Sequence, residues 1–150
     1  MTVLFATIPL GLQGLAMVVD EFYCHRRRGL PQWERIGHPL DTLTVLGCYA
    51  VALARPLTTA SLRTYVVLAA FSCLFVTKDE IVHAKHCKPF EHWLHALLFV
   101  LHPIVLVSMG FLWLREARML MLAQAVLTLF FGLYQTLYWN TSWTKSPRVP

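Results

Sequence analysis

Long runs of apolar residues, separated by short polar stretches, extend along the whole chain. A membrane-spanning helix needs about 20 mostly apolar residues, and five runs reach or approach this length. They are Thr2–Val19, Pro39–Ala54, Ser61–Thr77, Trp93–Leu114 and Met119–Trp139. The pattern predicts an all-α integral membrane protein with five transmembrane helices, the second of which depends on extension at the membrane surface.

The polar stretches are too short to form a separate soluble domain, so residues 1–150 are predicted to form one membrane domain. Composition agrees: 57% of the residues are hydrophobic and 14% are charged, whereas soluble domains carry about 25% charged residues. No basic residue precedes the first run, which continues into Asp20 and Glu21 without a small-residue cleavage site. We therefore expect a retained helix and not a signal peptide.

Basic residues are distributed unequally between the two predicted sides of the membrane. One side carries nine of them: Arg26, Arg27, Arg28, Arg35, Lys78, Lys85, Lys88, Lys145 and Arg148. The other side carries Arg55, Arg63, Arg115 and Arg118. Because basic loops stay in the cytoplasm, we expect an inner or plasma membrane protein with its N-terminus outside and its two long loops and C-terminus inside. The net charge of +5 then indicates contact with anionic membrane lipids and no nucleic acid.

Almost all acidic residues and histidines collect at four predicted helix ends that share the cytoplasmic face. In chain order they are Asp20, Glu21, His25, Glu34, His38, Asp41, Asp79, Glu80, His83, His86, Glu91, His92 and His95. His102 lies deeper, about 16 Å along the fourth helix from Glu91 at a rise of 1.5 Å per residue. We expect His102 to be a hydrogen-bonded core histidine, or to act on the site through another residue.

The two polar loops resemble each other. Residues Asp20–His38 and Asp79–His95 both read as Asp-Glu, then His, a basic loop, Pro, and Glu-x-x-x-His. Parallel repeats related by an axis along the membrane normal are one way in which membrane proteins are built. We therefore expect two pseudo-repeated helical hairpins, helices 1–2 and helices 3–4, facing each other with the fifth helix alongside.

A carboxylate and an imidazole recur together at each of the four helix ends. Glu21 and His25 are four residues apart, as are Glu91 and His95, and residues at this spacing share a helix face. Facing helices that supply carboxylates and histidines inward form dinuclear metal centres in helical bundles. The predicted ligands are Asp20, Glu21, His25, His38, Asp41, Glu80, His83, His86, Glu91 and His95. Interfacial ion pairs and a proton relay without metal are the alternatives.

Two choices stay open within this set. Neighbouring residues of a helix point about 100° apart, so spacing alone does not decide between Asp20 and Glu21, or between Asp79 and Glu80. Glu34 lies in the first turn of its helix, where the helix dipole stabilises a carboxylate. We therefore expect Glu34 to cap the helix and not to bind metal.

The elements Glu91-His92-x-x-His95 and His83-x-x-His86 are similar to the histidine boxes of membrane fatty-acid desaturases and hydroxylases. The similarity covers two short stretches. Those families use more histidines, in HxxxH and HxxHH boxes, whereas this chain has seven histidines, no adjacent pair of them, and many more carboxylates. The chain is therefore not assigned to these families, and the difference indicates a more carboxylate-rich centre.

Carboxylate and imidazole ligands together suit iron, manganese or zinc, and ligands from four helices most resemble a di-iron centre. The sequence then predicts a membrane oxidoreductase with two iron ions, which uses O₂ and an external electron donor to act on a lipid or another apolar substrate at the cytoplasmic face. With zinc, the prediction changes to a hydrolase of a lipid, ester or amide, in which a metal-bound water attacks. A third alternative is a non-enzymatic metal-binding or carrier protein.

Overall fold

The computed structural model describes residues 2–142, except for the side chains of Val82, Lys85 and His86. Its five helices are α1 (Val3–Arg28), α2 (Gln32–Ala54), α3 (residues 59–86), α4 (Pro89–Leu114) and α5 (Arg118–Ser142). No strand occurs in the part of the chain described. Five helices long and apolar enough to cross a membrane are therefore present, as the apolar runs predict. The predicted cytoplasmic C-terminus, with Lys145 and Arg148, lies outside the described residues.

The outer surface of the bundle carries many exposed apolar side chains. Leu4, Leu74, Val107 and Met119, from four different helices, are each at least 71% exposed. Soluble monomers rarely expose apolar patches of this extent. The surface suits helices that satisfy their backbone hydrogen bonds internally and present their side chains to lipid.

Helices continue beyond the apolar runs that predict them. The first apolar run ends at Val19, whereas α1 continues to Arg28; the second run begins at Pro39, whereas α2 begins at Gln32. The difference arises because an apolar run marks the part of a helix that faces lipid, whereas backbone hydrogen bonds continue through polar turns. The polar residues near these ends therefore lie on helices, where neighbouring turns fix their side chains.

α4 lies at the centre of the bundle. It packs extensively against α1 and also contacts α2, α3 and α5. The hydrophobic core lies towards the end away from the polar loops, where Met109 and Leu112 of α4 are buried in one cluster with Tyr49 of α2. Tyr65 of α3 donates its hydroxyl to the backbone oxygen of Leu106 at 2.6 Å. By contrast, the apolar part of α1 makes few contacts with α2 or α5.

A glycine allows α5 to approach α2 closely. A Cβ at Gly132 would lie 2.6 Å from Thr42 Cγ2, well inside van der Waals contact. Small residues at such positions let helix backbones come together in membrane proteins. This contact fixes α5 against α2, outside the pair of hairpins α1–α2 and α3–α4.

The helices depart from α geometry near the polar face. α1 contains a π-helical segment over Asp20–His25, α3 contains a 3₁₀ segment over Val76–Asp79, and α5 ends in a π-helical segment over Tyr138–Ser142. A π turn holds more residues than an α turn, and a 3₁₀ turn holds fewer. Side chains in these segments therefore point in directions that a spacing of three or four residues does not predict.

Candidate metal centre

Four histidines form a ring at the polar face, one from each of the helices α1 to α4. Around the ring, the centroids are separated by 5.1 Å from His25 to His38, 6.2 Å from His38 to His83, 3.9 Å from His83 to His95, and 6.1 Å from His95 to His25. Neutral imidazole is the commonest protein ligand of metals. The ring therefore brings four such ligands around one small volume.

Two kinds of distance in the centre match when the two hairpins are compared, whereas the histidine pairs within each hairpin do not, at 5.1 and 3.9 Å. His25 Nε2 lies 3.8 Å from Glu91 Oε1, and His83 Nε2 lies 3.8 Å from Glu34 Oε1. The ring centroids of the two histidine pairs that join the hairpins, His25 with His95 and His38 with His83, are likewise separated by similar distances, 6.1 and 6.2 Å. At the level of helices, α1 packs on α4 as α3 packs on α2. These matches agree with the correspondence between the two loops.

Asp20 and Asp79 lie next to this ring. Both carboxylate oxygens of Asp20 are 3.1 Å from His95 Nε2, and Oδ2 is 3.2 Å from His25 Nε2. Asp79 lies against α2, where a Cβ at Gly37 would be 3.1 Å from its Oδ1. The glycine thus makes room for a carboxylate that a larger residue would crowd.

Eight ionisable side chains of the centre are almost completely removed from solvent. Each is at most 5% exposed: Asp20, Glu21, His25, Glu34, Asp79, His83, Glu91 and His95. Burying a charged group costs free energy unless the group is paired or binds a metal. Packing alone does not explain such a concentration of buried ionisable groups.

The histidines leave ring nitrogens without hydrogen-bond partners. Among the described residues, neither ring nitrogen of His83 has a hydrogen-bond partner, nor do His38 Nε2 and His95 Nδ1. A buried polar atom left in this way costs about 1–3 kcal/mol. Burial, with smaller contributions from His95 and His38, lowers the pKa of His83 to about 3. Its imidazole is therefore neutral at ordinary pH, which is the form that binds a metal.

Four groups of side chains have ligand atoms within 4.8 Å of one another, close enough to hold a metal ion. They are Asp20, His25, Glu91 and His95; His38, Asp41 and Asp79; His25, Glu34 and His38; and His83, Cys87 and His95. The first two groups share no residue and each combines both hairpins, so together they have places for two ions. Burial raises the pKa of the Cys87 thiol to about 12, which makes it the least available of these ligands.

Glu21 lies at the edge of the centre and contacts α5. Its carboxylate accepts hydrogen bonds from Trp139 Nε1 at 2.7 Å and from Gln135 Nε2 at 3.2 Å, and it lies 3.5 Å from His25 Nδ1. A carboxylate on the second nitrogen of a metal-binding histidine fixes the orientation of the ring. Glu21 is thus placed to turn His25 Nε2 towards the centre.

Arg28 joins the two hairpins. Its Nη2 donates to Glu34 Oε2 at 2.7 Å and to Glu91 Oε1 at 2.8 Å. Gly29 follows with a φ of 76°, a conformation that favours glycine, so α1 ends directly after this arginine. One guanidinium therefore balances a buried glutamate from each half of the centre.

Lys78 is the second basic side chain of the centre. Its Nζ donates to Asp41 Oδ1 at 2.6 Å and lies 3.0 Å from Asp79 Oδ1. Ion pairs of this kind are what the alternative without metal predicts. Within the described residues, however, the ion pairs of Asp20 are with histidines alone, so basic side chains account for only part of the centre.

The structure brings together seven of the predicted ligands, which are Asp20, His25, His38, Asp41, His83, Glu91 and His95. Glu21 lies beside them and contacts α5. Glu80 is exposed, and its buried neighbour Asp79 enters the centre in its place, because the 3₁₀ segment ends at Asp79 and changes the direction of the next side chain. The side chain of His86 lies outside the described residues.

Glu34 is the clearest residue that the sequence prediction left out. It lies in the first turn of α2, as expected, but it is fully buried, bonded to Arg28 and close to His83. The repeat in the sequence could have indicated this position, because Glu34 corresponds to Glu91, which is among the predicted ligands. For Cys87, by contrast, the sequence offers no comparable signal.

A cavity of about 410 Å³ begins at the centre and extends into the bundle. Its polar end is lined by Asp20, His38, Asp79, His83 and His95. Most of the remaining wall is apolar and comes from α1, α2, α4 and α5. His102 lies in this wall, and its Nε2 is 2.9 Å from Ser72 Oγ, as expected of a hydrogen-bonded core histidine.

A helical bundle with a polar centre can serve many functions, so the fold alone does not identify one. The chemistry of this centre has to be inferred from its own residues. No protein-family model, curated protein or solved structure matches this chain.

Proposed function

We propose that the chain is an integral membrane protein in which two related hairpins, α1–α2 and α3–α4, hold a dinuclear metal centre at the cytoplasmic face. The observation that carries the proposal is the repeated distance across the centre, 3.8 Å from His25 to Glu91 and 3.8 Å from His83 to Glu34. Ion pairs formed by chance at a membrane surface have no reason to repeat in this way. α5 supports the centre from outside, through its hydrogen bonds to Glu21.

The charge of the centre supports two divalent ions. Its six carboxylates belong to Asp20, Glu21, Glu34, Asp41, Asp79 and Glu91. Arg28 and Lys78 are the basic side chains paired with them, which leaves four negative charges when all six carboxylates are ionised and the histidines are neutral. Two divalent ions balance these four charges, and buried like charges without such a balance are unfavourable.

The ligand set and the cavity favour iron and oxidation. Carboxylates and histidines supplied inward by facing helices are the arrangement of di-iron bundles, and an apolar cavity admits O₂ and an apolar substrate. When bound, the two iron ions supply the activation of O₂. The balanced reaction converts a substrate C–H bond, O₂, two electrons and two protons from an external donor into C–OH and water.

The residues of the centre have separate roles in this proposal. Asp20, His25, Glu91 and His95 bind one metal, and His38, Asp41 and Asp79 bind the other. His83 completes the ring of histidines between them. Glu21 orients His25, and Arg28 holds Glu34 and Glu91 in place while balancing part of their charge. The apolar wall of the cavity excludes water from the substrate.

Metal content is the measurement that tests the proposal. The protein is purified in detergent without chelator or histidine tag, and its metals are quantified per chain by inductively coupled plasma mass spectrometry. We expect two iron ions per chain and consumption of O₂ when a chemical reductant is supplied. Zinc in place of iron would favour the hydrolase, and a protein that takes up no metal on reconstitution would overturn the centre.

A matched pair of variants on α4 supplies the control. His95→Ala removes a member of the histidine ring, and we expect it to lose at least one metal ion per chain. His92→Ala changes a histidine three residues earlier, which belongs to none of the four ligand groups in the described part of the chain. Equal loss of metal in both variants would point to general destabilisation and contradict the assignment.

A further inference from the structure

The hairpin α3–α4 brings three metal-binding side chains together at its turn. His83 and Cys87 share a face at the end of α3, where the Cys87 backbone N–H donates to the His83 backbone oxygen at 3.0 Å. His95 of α4 lies against them, with its ring centroid 3.9 Å from that of His83. Each of the three residues has a ligand atom within 4.8 Å of those of the other two. The two ions of the proposed centre leave His83 and Cys87 unused.

The two histidines have ring nitrogens available for an ion at this turn. His83 is 2% exposed, and neither of its nitrogens has a hydrogen-bond partner among the described residues. His95 Nε2 lies 3.1 Å from Asp20, whereas its Nδ1 likewise has no partner in that part of the chain. A buried polar atom without a partner is unfavourable. One metal ion would satisfy a nitrogen of each ring.

The other hairpin has a group of the same size but of different chemistry. There, His25 and His38 converge with the carboxylate of Glu34, and their ring centroids are 5.1 Å apart. In α3–α4 the third ligand is a thiol, and the two histidine rings are closer, at 3.9 Å. Thiolates select ions such as zinc and copper(I), whereas carboxylates suit harder ions. The two hairpins therefore favour different metals.

We propose that the α3–α4 hairpin binds a zinc ion, in addition to the two ions of the centre, through Cys87 Sγ, a ring nitrogen of His83 and Nδ1 of His95. Zinc is the ion that proteins bind with cysteine and histidine together, and three protein ligands leave its fourth position open. Cys87 is only partly buried, so the site lies at the edge of the centre. His95 then joins the zinc to the ion that its Nε2 binds with Asp20.

Binding at this site releases two protons. A thiol that coordinates zinc is deprotonated outright, so Cys87 becomes a thiolate. A neutral imidazole has a proton on one of its two nitrogens, so His95 loses that proton when it binds two ions. Both protons pass to the solvent. The two negative charges that remain balance those of the zinc, and the charge of the carboxylates is left for the other two ions.

The inference rests on the proposed function only for the ion that shares His95. With the dinuclear centre empty, His83, Cys87 and His95 still provide three ligands. Iron content and binding through sulfur are therefore measured separately on the same preparation. Sulfur binding without iron would refute the dinuclear proposal alone, and iron without sulfur binding would refute the zinc site alone.

Cobalt substitution detects the thiolate itself. The protein is purified in detergent, its metals are quantified, and it is then stripped with a chelator and titrated with Co²⁺. A thiolate bound to Co²⁺ gives a charge-transfer absorption band, which carboxylate and imidazole ligands do not give. We expect one zinc ion besides two iron ions per chain before stripping, one sulfur-bound Co²⁺ per chain after titration, and loss of the band when Zn²⁺ is added.

Two cysteine variants form a matched pair. Cys87→Ser should lose the band and the zinc while keeping its iron. Cys24→Ser makes the same change at a buried cysteine that belongs to none of the four ligand groups in the described part of the chain, and it should keep the band, the zinc and the iron. His83→Ala should also lose the band with unchanged iron content, which tests the site without changing a cysteine.

A missing band in the unmodified protein would overturn the inference, as would a band that persists in Cys87→Ser. Loss of the band in both cysteine variants would point to general destabilisation and contradict the assignment. Displacement of Co²⁺ by copper(I) but not by Zn²⁺ would overturn the choice of zinc in favour of copper.

Discussion

At the scale of single residues, the direction of a side chain decides which carboxylates enter the centre. Asp79 is 2% exposed, whereas the next residue, Glu80, is exposed. In α1, the π-helical segment lets both Asp20 and Glu21 reach His25, at 3.2 and 3.5 Å. Adjacent carboxylates therefore have different environments. Within the pairs Asp20/Glu21 and Asp79/Glu80, the effect of changing one carboxylate can be compared with the effect of changing its neighbour.

Asp79 and Glu80 give the sharpest mutational test of the centre. We expect Asp79→Asn to lose about one metal ion per chain, because it removes a ligand from the group with His38 and Asp41. Glu80→Gln changes the same charge one residue later and should retain full metal content. Both are measured by mass spectrometry of the purified proteins, and loss of metal in Glu80→Gln alone would contradict the placement of these side chains.

Glu21 is expected to act through His25 and not as a metal ligand. Glu21→Gln should keep both metals at saturation but weaken metal affinity by about 10–100-fold, the usual effect of removing a carboxylate from the second nitrogen of a ligating histidine. The measurement is competition with a chelator of known affinity. Complete loss of metal would instead make Glu21 a ligand, and unchanged affinity would remove it from the centre.

The sequence predicts the four histidines of the ring, but it does not predict which acidic neighbour joins them. His25, His38, His83 and His95 can be found because each stands near a carboxylate in a repeated pattern. The choice between Asp79 and Glu80 depends on the phase of the helix, which the 3₁₀ segment shifts at that point. Spacing rules assume an α-helix, and the helix is not α-helical there.

At the scale of elements, a hydrogen-bonded row of three side chains joins three helices on the membrane-interior side of the metal centre. Thr44 Oγ1 of α2 lies 2.7 Å from Ser72 Oγ of α3, which lies 2.9 Å from His102 Nε2 of α4. Removing one partner from a buried hydrogen bond leaves the others unsatisfied, at a cost of about 1–3 kcal/mol. This row thus fixes the relative positions of the helices that carry His38, His83 and His95.

His102→Ala tests that structural role. We expect a lower free energy of unfolding, by about 1–3 kcal/mol, and a lower thermal midpoint in detergent, with metal content unchanged. Ser72→Ala should have a similar effect, because it breaks the same row at its middle. If His102→Ala lost metal while retaining its thermal midpoint, the histidine would belong to the centre itself.

The five helices can be predicted from the apolar runs, whereas the residues at which their polar ends stop and the shape of the cavity cannot. An apolar run reports contact with lipid, so it stops at Val19 although α1 continues to Arg28. The cavity depends on α1 packing against α4 and making few contacts with α5 along its apolar part. No local pattern in α1 specifies this packing.

At the scale of the whole molecule, metal binding and stability should be linked. An ion that binds the folded chain alone stabilises it by about 2.7 kcal/mol when its free concentration is one hundred times its Kd. We expect chelation to lower the thermal midpoint of the protein, and re-addition of metal to restore it. Asp79→Asn should respond less to both treatments, and an unchanged midpoint in the unmodified protein would contradict the linkage.

Arg28 distinguishes the two halves of the centre. In the proposed repeat, two copies of one hairpin related by rotation about the membrane normal would enclose similar sets of histidines and acids, although Asp41 has no acidic counterpart in the second hairpin. A true homodimer would place two copies of this arginine near the axis, where they would repel each other, whereas here one guanidinium serves both Glu34 and Glu91. The two halves therefore differ in their surroundings: α5 contacts one side alone and holds Glu21, while the corresponding Glu80 is exposed.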